Sequence, residues 1–164
     1  MLSNRLKNVV SQVNTGNLIA DIGTDHGYVP IYLIKNSIAK KAIAADISKG
    51  SCDKAKTNIS LYGLNDKIDV RCGNGLEIIK DSEIIDTIII SGMGGLLTID
   101  VLKSNEKAVK NANQLILQPQ RDIEKVRAYL HSINYKIINE EMLMESGKYY
   151  TIINAVKGSD EEYS

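Results

Sequence analysis

Leu2, Leu6, Val9, Val10 and Val13 recur at helical spacing, with Arg5 off the apolar stripe, so the chain opens on an amphipathic helix. Asn14-Thr15-Gly16-Asn17 breaks that pattern, and residues 18–22 then form a short apolar run with polar flanks, the signature of a buried strand. The two periods go on alternating. Strand patterns cover residues 42–46, 68–71, 86–91 and 114–118, and helical patterns cover 28–36, 49–61, 76–80, 96–103 and 122–133. Pro30 sits in a first helical turn, where the ring is tolerated, Gly63 follows a helix end, and Pro119 stops the fifth strand. Thr87-Ile88-Ile89-Ile90 is β-branched without alternation, which implies burial on both faces. Alternating strands and helices predict right-handed crossovers and a parallel sheet covered on both sides. The last two strand-like runs, 135–143 and 149–156, are joined only by residues 144–148, too few for a crossover, so they predict an antiparallel hairpin.

Composition narrows this picture without redirecting it. With 164 residues, 43% hydrophobic and 24% charged, the chain is expected to be one globular domain over residues 1–157, followed by an acidic tail at 158–164. No apolar run approaches the roughly 20 residues of a membrane span, and polar Asn4, Arg5 and Lys7 open the chain, so a cytoplasmic location is expected. Cys52 and Cys72 are too few for a disulfide framework and lack metal-ligand spacing, so both are expected to be buried thiols and no metal is expected. The net charge of zero hides an asymmetry: the first 60 residues hold eight Lys or Arg against four Asp. That basic front suits a polyanionic partner or equally an ordinary solvated surface.

Candidate chemistry gathers in the loops that follow the strands. Asp21-Ile22-Gly23-Thr24-Asp25-His26-Gly27 resembles a dinucleotide-binding turn, but Asp25 stands where a glycine would let backbone approach a pyrophosphate. A cofactor with a cationic end fits better than a phosphorylated one, which counts against a nicotinamide-dependent dehydrogenase. Asp46 ends the second strand at the distance expected of a carboxylate that accepts from a ribose diol, or else caps the next helix. Asn74, in Gly73-Asn74-Gly75, reads an adenine edge or simply suits a turn. Ser91-Gly92-Met93-Gly94-Gly95 offers close backbone approach and an adaptable apolar side chain. Gln118-Pro119-Gln120 brings two amides and a rigid bend to the same rim. His26 is a catalyst or a structural hydrogen-bonder. A non-catalytic RNA-binding module is disfavoured by the zero net charge and the lack of an aromatic-rich sheet face.

Several motifs in order resemble the bacterial tRNA (adenine(22)-N1)-methyltransferase family of class I S-adenosylmethionine-dependent methyltransferases. They are Leu2-Ser3-Asn4-Arg5-Leu6, the run from Ala20 through Asp25 to Pro30, Gly73-Asn74-Gly75-Leu76-Glu77, Gly92-Met93-Gly94-Gly95, Leu115-Ile116-Leu117-Gln118-Pro119-Gln120 and Glu145-Ser146-Gly147-Lys148-Tyr149-Tyr150. The resemblance implies an α/β, Rossmann-like fold with a seven-stranded, mostly parallel sheet, an antiparallel C-terminal hairpin and helices on both faces. It implies a monomer that methylates N1 of adenine 22 in tRNA. S-adenosylmethionine would be held by Asp21, Gly23, His26, Asp46, Ile47, Asn74, Gly75, Ser91, Gly92 and Met93. Asp25, Tyr28, Gln118 and Pro119 would form the catalytic face, with Arg5 and Gln120 binding substrate. The chain departs from the family pattern at Asn74, where an acid is usual, and at Gln120, where an asparagine is usual. Members usually continue into a C-terminal helical domain.

Overall fold

The computed structural model describes residues 2–158; residues 159–164 of the expected acidic tail lie outside the described residues. Helix α1 (Asn4–Ser11) is capped by the Ser3 hydroxyl, which accepts from the Leu6 amide, and buries Leu6, Val9 and Val10. It is followed by β1 (Gly16–Ile22), α2 (Tyr28–Lys35), β2 (Ala39–Asp46), α3 (Lys49–Leu61) and β3 (Ile68–Cys72). A 3₁₀ turn (Gly75–Ile78) stands where a short helix was expected at 76–80. Then come β4 (Thr87–Met93), α4 (Gly95–Lys103), α5 (Glu106–Asn111), β5 (Gln114–Pro119), α6 (Ile123–Ser132), β6 (Tyr135–Glu145) and β7 (Lys148–Lys157).

The strands form one seven-stranded sheet in the order β3-β2-β1-β4-β5-β7-β6. The first five are parallel, and β7 runs antiparallel to both of its neighbours. The closing hairpin is tighter than the five-residue connection expected, because Ser146 and Gly147 both take positive φ, 52° and 77°, and turn the chain in two residues.

Two hydrophobic layers flank the sheet, and strand alternation sorts residues between them. Ala20, Ile22, Ile88, Ile90, Leu115 and Leu117 pack towards α4, α5 and α6, while Ile19, Ile89 and Ile116 pack towards α1, α2 and α3. The three isoleucines of β4 are all fully buried, as the unbroken apolar run predicted. A buried polar knot closes the amino-terminal end of the sheet. Gln114 Oε1 accepts from the Asn14 amide (2.9 Å) and the Thr87 hydroxyl (2.9 Å), and its amide donates to the Gln12 carbonyl (2.8 Å) and to Asn154 Oδ1 (3.0 Å). With every bond of that amide made, its burial costs little.

Gly95, the first residue of α4, lies against the approach to α6. A Cβ there would fall on the Arg121 carbonyl oxygen and 2.9 Å from the Asp122 carbonyl oxygen, both backbone atoms that cannot swing aside. Gly95→Ala should therefore destabilise the fold by about 3 kcal/mol, seen as a lower midpoint of thermal unfolding; an unchanged midpoint would show that the α4–α6 contact gives way freely.

Candidate active site

The order β2-β1-β4 contains the point where the direction of winding reverses, and crevices at such points bind ligands at the carboxyl ends of the strands. The first loop is pinned there by its backbone. The amides of Gly23 and Thr24 both donate to the Ala45 carbonyl, at 2.8 and 2.9 Å, and the Tyr28 amide donates to the Asp25 carbonyl at 3.0 Å. Gly23 has φ 81°, and a Cβ on it would lie 2.7 Å from the Met93 methyl, so a side chain would fill the gap between β1 and β4.

A cavity of about 110 Å³ opens at these strand ends and is lined by Gly23, Asp46, Ile47, Asn74, Gly75 and Met93 among the predicted residues. Leu97 and Val101 of α4 also line it; sequence reading missed them because only packing sets α4 against the 3₁₀ turn that follows β3. The volume is a fraction of a typical cofactor site, so a whole cofactor would extend over the open loops. A larger cavity of about 780 Å³ lies at the far end of the sheet, between α4, α5, α6 and the start of β6, and contains none of the predicted site residues.

Asp21 is 2% exposed, and burial pushes its carboxyl up to about 7; the hydrogen bond of Thr24 lowers it, and the charges of Asp25 and Asp46 raise it. The Thr24 approach is loose, because its buried Oγ1 lacks a partner at full hydrogen-bond geometry. Asp46 does not cap α3. That role belongs to Ser48, whose hydroxyl accepts from the Ser51 amide, while Asp46 Oδ1 accepts from the Ser48 amide at 2.9 Å and leaves Oδ2 without such a bond. Two thiols hold the same turn: Cys52 Sγ donates to the Asp46 carbonyl (3.5 Å) and Cys72 Sγ to the Ile47 carbonyl (3.6 Å). Burial, with Cys72 alongside, pushes the Cys52 thiol up to about 11, so it stays a protonated donor. Cys72 is exposed, against the expectation of two buried thiols. Asn74 has φ −92° and ψ 114°, ordinary extended backbone, so turn geometry does not explain an asparagine here.

Outside the cavity the remaining predicted residues make two further groups. The His26 ring stacks on Tyr28 with centroids 5.2 Å apart and planes 9° from parallel, and His26 Nε2 lies 3.6 Å from Asp25 Oδ1. His26 thus faces Asp25 and Tyr28 rather than the cavity, held at φ 55° with its carbonyl accepting from Asn58 Nδ2. Gln118 Oε1 accepts from the Gly92 amide (2.9 Å) and from Arg5 Nη1 (3.0 Å), and the Gln120 amide donates to the Met93 carbonyl (2.7 Å). Pro119 pairs with Met93 across a β-bulge that follows Ser91. Arg5, expected to bind substrate, donates to Gln118, with its guanidinium 5.6 Å from the Tyr150 ring centroid. Among the described residues no group of three His, Cys, Asp or Glu could hold a metal, and no helix is long and apolar enough to cross a membrane.

Known proteins are similar to this chain in sequence and fold. A family model described as a methyltransferase domain matches residues 2–153. The tRNA (adenine(22)-N(1))-methyltransferase of Bacillus subtilis is 40% identical over 157 residues, which cover 96% of this chain and 66% of that protein, so the chain spans just under two thirds of its length. The crystal structure of the B. subtilis M1A22 tRNA methyltransferase TrmK superposes with a TM-score of 0.92 at 39% identity, covering 99% of this chain and 69% of that one. The structure of M. capricolum TrmK in complex with S-adenosyl-homocysteine gives a TM-score of 0.90 at 35% identity, covering 97% and 70%. The chain belongs to the methyltransferase domain family and, within it, to the tRNA (adenine(22)-N1)-methyltransferases.

Proposed function

We propose that this chain transfers a methyl group from S-adenosylmethionine to N1 of adenine 22 in tRNA, acting in the cytoplasm as a monomer whose site is built from one chain's loops. The observation that carries this reading is the grouping of Asp21, Asp25 and Asp46 at the carboxyl ends of β1 and β2, beside the cavity that Gly23, Ile47 and Met93 line. Such a site repels phosphates and suits a ligand with an ammonium and a sulfonium group. The residues present fit that cofactor: Gly23 leaves the space a Cβ would fill, and the apolar walls Ile47, Met93 and Leu97 suit a planar base.

When bound, S-adenosylmethionine supplies an electrophilic methyl group. Asp21 and Gly23 orient its amino-acid end, Asp46 accepts from the ribose through Oδ2, and Asn74 meets the adenine edge. N1 of a neutral adenine carries a free lone pair, so no base has to remove a proton first, and orientation is the main demand on the protein. Methylation leaves positive charge on the ring, and the Asp25 carboxylate stabilises that charge as it develops. The paired Tyr28 and His26 rings offer a stacking surface beside Asp25. The N1 edge is paired in a duplex, so the target base must be unstacked to reach them.

The direct test is transfer of labelled methyl from S-adenosylmethionine to unmodified tRNA, with the modified adenine mapped. Label on position 22 supports the reading, and methylation of only a small molecule or a protein overturns it. Asp46→Ala should weaken cofactor binding by about 10- to 100-fold, the worth of a hydrogen bond to a charged group, measured by calorimetric titration. An unchanged dissociation constant would remove Asp46 from the ribose.

A further inference from the structure

We propose that Arg5 is a positioning residue: it fixes the Gln118 amide so that Gln118 donates to a ring-nitrogen acceptor of the incoming adenine. The inference rests on the methyltransferase reading above and adds a specificity contact to it.

Arg5 stands at the start of α1, with its backbone amide donating to Glu145 Oε1 at 3.3 Å and its guanidinium beside the Tyr150 ring. Its Nη1 donates to Gln118 Oε1 at 3.0 Å, and the Gly92 amide donates to the same oxygen at 2.9 Å. Two donors converging on one end of the amide decide which end is oxygen, because nitrogen there would set donor against donor. The other end is therefore the amide nitrogen. Gln118 is 1% exposed and Nε2 has no partner, although Oε1 of the same amide accepts two bonds. A buried donor kept without an acceptor is rare, and a ligand atom is the partner it lacks.

Adenine limits what that partner is. N1 must face the methyl group and the exocyclic amine is itself a donor, which leaves N3 and N7 as acceptors. Gln118 could accept from the exocyclic amine only by flipping, which the Arg5 and Gly92 donors oppose. The neighbouring Gly92 and Gln120 are exposed, which offers a base a way in, and it reaches Nε2 by displacing what covers it.

The test combines variants with altered substrates. Gln118→Glu keeps the acceptor that Arg5 and Gly92 need and removes the donor; Arg5→Met removes the clamp; Arg5→Lys preserves a donor. Each of the first two should lower kcat about tenfold, with KM for tRNA and its salt dependence unchanged. Arg5→Lys should restore most of the rate, and the double variant should be no slower than Gln118→Glu alone, because both changes act through one amide. On the unaltered protein, tRNA carrying 3-deazaadenosine or 7-deazaadenosine at the target position identifies the acceptor: one of the two should react about as slowly as the Gln118→Glu enzyme does with adenosine, and Gln118→Glu should slow it no further.

Additive losses, or a raised KM with a shallower salt slope, would make Arg5 a phosphate contact and overturn the proposal. Full rates with both deaza substrates would overturn the base contact. Failure of the methyltransferase reading is seen separately, as wild-type protein that does not methylate tRNA at all. The clamp is then read in the free protein: the Gln118 side-chain amide protons should exchange slowly in wild type and Arg5→Lys and fast in Arg5→Met, and equal rates would overturn it.

Discussion

Replacing Asp25 with alanine should slow methyl transfer by about 10²- to 10³-fold while S-adenosylmethionine still binds within about twofold of wild type. Asp25 is exposed at the tip of the first loop, outside the cavity that Gly23, Asp46 and Asn74 line, so the cofactor loses no wall when it is truncated. The loop survives as well, because the bond that shapes it runs from the Tyr28 amide to the Asp25 backbone carbonyl, which alanine retains. What disappears is a negative charge beside the stacked His26 and Tyr28 rings. In water that charge is worth little; once a base covers it the local dielectric falls, and its attraction for the cationic ring grows as the methyl arrives. Asp25→Asn keeps the shape and removes the charge, so it should fall nearly as far. Single-turnover rates with labelled donor, set beside calorimetric dissociation constants, measure both quantities. A near-normal rate in either variant would remove Asp25 from the mechanism.

The second large effect concerns Asp21 and pH. Its folded pKa of about 7 lies above the ordinary carboxyl value of 3.8, because burial disfavours the ion. Between those values the folded chain holds a proton that the unfolded chain has lost. Its stabilising contribution is thus complete below pH 3.8 and is lost as pH rises through about 7. Above that, the buried charge costs on the order of 4 kcal/mol relative to a neutral side chain, since each tenfold change in the ionisation equilibrium is worth about 1.4 kcal/mol. Asp21→Asn should therefore raise the unfolding midpoint at pH 8 and leave it nearly unchanged at pH 4. Cofactor binding runs the other way. A cationic amino group needs the ionised carboxylate, so the wild-type dissociation constant should fall about tenfold from pH 6 to pH 8 as the Asp21 proton is released. Asp21→Asn should bind weakly, with little dependence on pH. A flat wild-type profile over that range would show that Asp21 does not meet the cation.

Much of this fold was legible from local pattern. All seven strands begin and end within three residues of the apolar runs that predicted them, and α3 (Lys49–Leu61) coincides with its helical pattern, because Ser48 and Gly63 mark its ends chemically. Helix α5 was not legible: its six residues, Glu106–Asn111, are too few to show a period, and it is held by the Asn105 side chain accepting from the Ala108 amide. The two-residue hairpin turn was missed for a related reason. Positive φ at Ser146 is stabilised by the register of β6 on β7 rather than by serine itself.

The candidate site divides along the same line. Asp21, Gly23, Asp46 and Asn74 could be named from sequence because each lies at or just beyond the carboxyl end of a strand, and parallel strands must deliver those ends to one side of the sheet. That reasoning fixes which loops meet and says nothing of how their side chains pair. Arg5 and Gln118 are 113 positions apart, and only the packing of α1 against α2 and the β6–β7 hairpin sets a guanidinium against that amide and leaves its nitrogen unpaired. The turning of His26 onto Tyr28, the thiols beneath Asp46 and the α4 side chains in the cavity wall were settled in the same way. Hydrophobic periodicity records which face of each element is buried. The partner a polar side chain finds depends on how those faces close over one another, and that is decided only when the layers pack.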